Sequence, residues 1–327
     1  MPIWLIVLGA IVVTIPLIIV SRVLVLAYLN RETLVMDDHL RARGLGKYVR
    51  LSDGVTHYQV AGPEDGEVLV FMTGATLSIW VWQGLFEKLA EAGFRVIRYD
   101  YYGRGYSDHP KIKYTMEVFH RQLTELLEFL KVDGPVTLVP LAFGGPIASE
   151  YALRRPANVN KIVFLAPDGF GVPFSMTMKL SLKPLIGPPI FHAYGTKGLA
   201  ARLVEYTSDQ KMIERLRKHY LPELAFKGFK HAVASSLRYV SVHNAVPIYS
   251  RINDQSSVRL QVIWGTEDRV TAIPSQDFIK QLFSRAEIHF LPGIGHLPHW
   301  ERLDEVASAM IAFLRPAVPQ DLKAGAR

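Results

Sequence analysis

A chain of 327 residues that is 49% apolar and 20% charged can bury a large core, and disordered, collagen-like and disulfide-stapled classes are set aside. Cysteine is absent, which excludes disulfides, thiol nucleophiles and thiolate metal sites. The formal net charge is +7, and what it implies depends on where it sits.

Residues 3–20 form an apolar run of eighteen without a charged side chain, about 27 Å as a helix and close to the hydrocarbon thickness of a bilayer. The run reaches Leu29 if Arg22 snorkels to the headgroups, with Trp4 and Tyr28 at interfacial depths. Pro16 would kink such a helix without forbidding it. No Lys or Arg precedes Trp4 and no A-x-A cleavage pattern follows, so residues 1–30 read as a retained anchor rather than a signal peptide. Arg22, Arg31, Arg41, Arg43 and Lys47 follow the span, and the positive-inside rule then puts the body in the cytoplasm.

After the anchor, residues 48–51 and 56–60 flank Ser52-Asp53-Gly54, a hairpin signal. Strand 68–72, helix 82–92 and strand 94–99 follow. Thr115 then opens a helix with Met116, Phe119, Leu123, Leu126, Leu127 and Leu130 on a 3.6-residue period. Strand 136–139, helix 144–155 ended by Pro156, and strand 161–165 complete the first half. The alternation resumes with strand 260–264, helix 274–283, strand 287–291 and helix 301–314; residues 316–327 read as a polar tail. Such alternation predicts an α/β fold, a mainly parallel sheet covered by helices on both faces.

The interruption, residues 169–253, carries twelve Lys or Arg against four Asp or Glu, so it holds the basic excess and the rest of the chain is nearly neutral. Its stretch 174–194 is apolar and Pro-rich, with Met176, Met178, Leu180, Leu182, Leu185, Ile186, Ile190 and Phe191. Inserted after a strand, it predicts a helical cap over the strands' carboxyl ends, where such sheets bind ligands. The expected division is anchor 1–30, core 31–168 and 254–315, cap 169–253 and tail 316–327. A basic, apolar surface beside an anchor suits an anionic membrane. No groove-reading motif points to nucleic acid, and the plain alternative is a solvated basic face.

Over roughly residues 47–315 the motifs resemble the α/β-hydrolase family. Asp100-Tyr101-Tyr102-Gly103-Arg104-Gly105-Tyr106-Ser107 is similar to its D-x-x-G-x-G-x-S loop, Trp264-Gly265-Thr266-Glu267-Asp268 to its acid loop, and Pro292-Gly293-Ile294-Gly295-His296 to its histidine loop. The resemblance implies His296 as proton shuttle and Asp268 as the carboxylate holding its tautomer, with Asp168 as the alternative acid. It also implies an oxyanion hole from the backbone amides of about Ala75 and Phe143, although Thr73-Gly74 stands where His-Gly is usual. No cofactor is implied. His299 lies near His296 but lacks a third ligand for a metal, and the other histidines read as surface or cap residues.

The nucleophile elbow departs from the family. Where G-x-S-x-G is expected, the chain has Pro140-Leu141-Ala142-Phe143-Gly144-Gly145, and the methyl group of Ala142 cannot attack a carbonyl. Thr73, Thr76 and Ser78 are the hydroxyls near enough in sequence to be a displaced nucleophile. Two readings follow. One is an ester-hydrolase scaffold acting on lipid-like acyl compounds through His296 and Asp268. The other is an inactive relative that binds an apolar ligand or a protein partner at the membrane.

Overall fold

The computed structural model describes residues 2–171, 174–240 and 244–315; the tail expected over 316–327 lies outside them. The chain opens with α1 (Ile3–Leu29), none of whose residues is buried. With a mean hydropathy of 3.0 it is long and apolar enough to cross a membrane. A short α2 (Asp38–Arg41) is capped by the Asp37 carboxylate on the Leu40 amide. The hairpin β1 (Lys47–Leu51) and β2 (Gly54–Ala61) follows where Ser52-Asp53-Gly54 predicts it.

The alternating part runs β3 (Val68–Met72), α3 (Leu85–Glu91), β4 (Arg95–Tyr99), α4 (Met116–Phe129), β5 (Val136–Pro140), α5 (Gly144–Arg154) and β6 (Val159–Leu165). The insertion supplies α6 (Met176–Ser181), α7 (Gly187–Ala201), α8 (Gln210–Glu223) and α9 (Phe229–Tyr239). It is followed by α10 (Val246–Gln255), β7 (Arg259–Gly265), α11 (Gln276–Leu282), β8 (Glu287–Leu291), α12 (Pro298–Glu301) and α13 (Leu303–Leu314).

One eight-stranded sheet results, in the order β1-β2-β4-β3-β5-β6-β7-β8. The pairs β1–β2 and β2–β4 are antiparallel and all others parallel. β5 is buried at every position, as a central strand covered on both faces requires. From β3 the chain moves to β4 on one side and then back past β3 to β5 on the other. The carboxyl ends of β3 and β5 therefore flank the switch point, the crevice where open parallel sheets bind ligands.

Three boundaries differ from expectation. The helix expected over 82–92 starts at Leu85, because Gly84 adopts φ +92° and Ile79–Trp82 winds as a 3-10 turn. The last helix is divided at Arg302, whose φ of −135° is not helical, into α12 and α13. The cap expected over 169–253 is too long by α10, which packs against α5 and α11. Tyr249, Ile252 and Asn253 are buried there, and the Tyr249 ring lies against Phe164 and Phe283. This helix therefore covers the sheet, leaving α6 to α9 over the pocket.

Candidate active site

Between β5 and α5 the backbone turns sharply. Ala142 has φ +46°, a left-handed conformation unusual for a residue with a Cβ. It is held by its own amide on the Leu165 carbonyl (3.0 Å) and by its carbonyl, which accepts from the Gly145 (2.8 Å) and Asp168 (3.1 Å) amides. Gly144 makes the tight approach possible: a Cβ there would sit 3.1 Å from the Met72 carbonyl and 3.1 Å from Pro140. Pro140 ends the strand, where its missing N–H removes little from the ladder.

The loop after β3 brings Gly74 beside this turn, a Cβ built there falling 4.0 Å from that of Ala142. The Ala75 and Phe143 amides donate no hydrogen bond among the described residues, and both residues line the pocket. Two unpartnered N–H groups on residues that line one pocket are what an oxyanion hole would draw on. Arg104 holds this loop from behind. Fully buried, it donates from Nε (2.9 Å) and Nη2 (2.8 Å) to the Ala75 carbonyl, and to Tyr102 O and Ser236 Oγ. Burial lowers its pKa to about 10, so it remains a cation at neutral pH.

Opposite the turn, His296 Nδ1 meets Asp268 Oδ2 at 2.9 Å and Thr271 Oγ1 at 3.2 Å. Asp268 is well supplied with donors. Its Oδ1 accepts from the Val270 (2.8 Å) and Thr271 (2.9 Å) amides, and its Oδ2 from Trp264 Nε1 (3.0 Å) and Thr271 Oγ1 (2.7 Å). Burial raises the pKa of this carboxyl, but His296 and these donors outweigh it and the net shift is downward. Asp268 is thus ionised at neutral pH and fixes the ring so that Nε2 is the nitrogen left for chemistry. That Nε2 makes no hydrogen bond among the described residues, and His296 lines the same pocket as Ala142.

Asp168, the alternative acid, makes no hydrogen bond to His296. Its Oδ1 accepts from the Gly169 amide at 2.7 Å, and its carboxyl faces the pocket as a separate group. Burial raises its pKa to about 6, against the lowering effects of Gly169, His296 and Arg202. The unfolded chain then loses this proton before the folded one, so the contribution of Asp168 to stability falls as pH rises from about 4 to about 6 and is level above. Asp168→Asn keeps the acceptor and removes the titration. Urea unfolding should show it more stable than the parent by roughly 3 kcal/mol at pH 8 and equal near pH 3.

The pocket, about 60 Å³ in volume, is lined from the inserted segment by Phe174, Met178, Leu199, Leu203, Tyr206, Tyr220 and Leu237, and by the charged Arg202. Among the three candidate hydroxyls, Thr76 alone lines it, at 3.4 Å from the Tyr206 hydroxyl. Ser78 instead donates to Glu223 Oε1 at 2.5 Å, and Thr73 is buried outside the lining.

Several histidines are not the surface residues expected. His57 is buried with Nδ1 on Asp100 Oδ2 at 2.7 Å, and His109, His120 and His299 carry pKa values lowered by burial. His299 Nε2 bonds the Val81 carbonyl at 2.9 Å and its ring lies on Trp82, a core role. Asp100 also accepts from the Ile79 (2.7 Å) and Tyr106 (3.0 Å) amides. A Cβ on Gly105, at φ +51°, would fall 2.1 Å from its Oδ2, which is why glycine is needed there. The sequence motif signals Asp100 and Gly105, whereas nothing in it signals the Arg104 clamp or the Thr271 bridge.

A family model described as alpha/beta hydrolase fold matches residues 67–303. The chain belongs to the α/β-hydrolase fold family. Within it, the chain is 24% identical over 265 residues to a 2-hydroxy-6-oxo-2,4-heptadienoate hydrolase of Pseudomonas putida, covering 80% of this chain and 92% of that one. It is 24% identical over 207 residues to the human monoacylglycerol lipase ABHD6, 59% of each chain. The enol-lactonase of Burkholderia xenovorans LB400 superposes with a TM-score of 0.65 at 20% identity, over 82% of this chain and 99% of that one, a likeness of fold.

Proposed function

We propose that this chain is a membrane-anchored hydrolase-fold protein that takes an apolar, ester-like ligand beneath α6 to α9 and acts on it through His296 as a general base. The observation that carries this reading is the complete, buried His296–Asp268 pair opening on an apolar pocket beside Ala142. In the step it supports, His296 Nε2 takes a proton from water as the water oxygen attacks the ester carbonyl. The Ala75 and Phe143 amides receive the oxyanion, the C–O bond breaks, and the alkoxide leaves with the proton from His296. No acyl-enzyme forms, since Ala142 has no atom to carry one.

The lipid-like class rests on the largely apolar lining, on α1 as an anchor, and on a relative named as a monoacylglycerol lipase. With α1 in the membrane, the cationic residues after it put the body on the cytoplasmic side. At about 60 Å³ the pocket holds only the reacting end of such a ligand, and a longer chain has to part the inserted helices. Purified full-length protein should hydrolyse medium-chain esters slowly, and His296→Ala should abolish this; absence of turnover across an ester and lactone panel would refute it.

The methyl group at Ala142 favours a second reading, a ligand-binding relative without turnover. It expects ligand binding to survive His296→Ala and to be lost in Leu203→Trp, which fills the pocket.

A further inference from the structure

The inserted helices carry an apolar edge that no described residue covers. On α6 and the turn after it, Met176 is 70% and Leu185 93% exposed, with Leu180 and Ile186 also exposed. Isolated apolar side chains on a surface mean little, but contiguous ones mark an interaction site. Lys179 and Lys183, both exposed, alternate with them. The edge is firmly held: Ser175 caps α6 on the Met178 amide (3.2 Å), and Arg238 Nε donates to the Leu182 carbonyl at 2.6 Å.

The position of α1 says what this edge faces. Residues 3–22 are exposed throughout, and partial burial begins at Val23 and recurs at Leu26, Ala27 and Asn30. That spacing is the one helical face along which α1 packs on α7, and Asn30 Nδ2 donates to the Ala193 carbonyl at 2.9 Å. The free length, residues 3–22, spans about 30 Å, the thickness of a bilayer's hydrocarbon core. The protein body therefore begins at the membrane surface with no spacer, and the first element it presents is α7, against which α6 packs.

We infer that the α6 edge, through Met176, Leu180, Leu185 and Ile186, sits in the headgroup–acyl boundary of the bilayer that α1 crosses, with Lys179 and Lys183 reaching the phosphates. This is the pattern of an interfacial segment, apolar on one side with snorkelling lysines; anionic lipid adds attraction for each lysine. The inference rests on the reading of α1 as an anchor. On the inner side of the same helix Met178 lines the pocket, so α6 is the wall between the lipid and the site. An apolar ligand leaving the bilayer passes Met178 without crossing water.

The chain lacks cysteine, so single cysteines can carry an environment-sensitive fluorophore without a background. Full-length protein is reconstituted in phosphatidylcholine–phosphatidylglycerol vesicles with a label at Leu185→Cys or Met176→Cys. A label at Val13→Cys reports α1, and one at Phe129→Cys, exposed at the end of α4 opposite the pocket, reports the aqueous side. The expected result is blue-shifted emission and quenching by shallow spin-labelled lipid at positions 176 and 185, deep quenching at 13, and aqueous iodide quenching at 129. A deep signal at 13 with aqueous behaviour at 176 and 185 overturns this inference alone. An aqueous signal at 13 overturns the anchor reading and this inference with it.

Discussion

Ala142→Ser should give a protein that labels with a fluorophosphonate and hydrolyses simple esters at least ~10²-fold faster than the parent. The turn between β5 and α5 already holds residue 142 at φ +46°, the strained geometry that projects a nucleophile from the top of such a sheet. That strain, an energetic cost at a non-glycine residue, is retained although the side chain is a methyl group. Around it the Ala75 and Phe143 amides are without partners among the described residues, Arg104 fixes the Ala75 carbonyl, and Asp268 orients His296. A hydroxyl at 142 would add a nucleophile to the pocket that the His296–Asp268 pair and the Ala75 and Phe143 residues already line. An inert Ala142→Ser protein, folded as judged by its thermal transition, would place the defect in Pro140 or Thr73 and count against a preserved site.

Gly265→Ala should be among the most damaging single methyl groups in the molecule, and it strikes the site directly. At the end of β7, a Cβ on Gly265 would stand 2.2 Å from the Gly295 carbonyl and 2.2 Å from the Ile294 carbonyl. Both obstacles are backbone atoms of the histidine loop, so no rotamer change relieves them. The loop must move, and it carries His296, whereas Asp268 is anchored to β7 through Trp264 Nε1. The expected cost is about 3 kcal/mol or more, read as a thermal midpoint lowered by several degrees. Any His296-dependent turnover should fall with it. Gly293→Ala serves as the control: nothing stands within 4 Å of its Cβ, although φ +74° carries some strain. Equal losses in the two variants would contradict this account of the loop contact.

Much of this architecture was legible in the sequence because it repeats simple periods. β8 falls on residues 287–291 as expected, and the 3.6-residue pattern after Thr115 gives α4. The three loops matching the hydrolase family lie at strand ends, where the sheet brings Asp268 and His296 together from positions 28 apart in sequence. Less legible were features set by packing between distant elements. α10 reads as part of a basic insertion because Arg251 and its neighbours are polar, yet its buried face with Tyr249 fits α5. His57 and His120 look like surface residues in a linear reading and turn out to be core residues, one on Asp100 and one on the Ile147 carbonyl. Arg104 occupies a variable position of its motif, so only the fold reveals its hold on Ala75. The opening charge arithmetic gains meaning the same way, since Lys179 and Lys183 matter for standing beside exposed Leu180 and Leu185.

Base catalysis by His296 without a covalent intermediate can be followed by intact-mass spectrometry of the wild-type protein during turnover of a medium-chain ester. Product release without a burst is expected, with no acylated protein at any time, loss of release in His296→Ala, and an acyl adduct only in Ala142→Ser. An acyl adduct on the wild-type chain, at Thr76 or elsewhere, or release undiminished in His296→Ala, would contradict it.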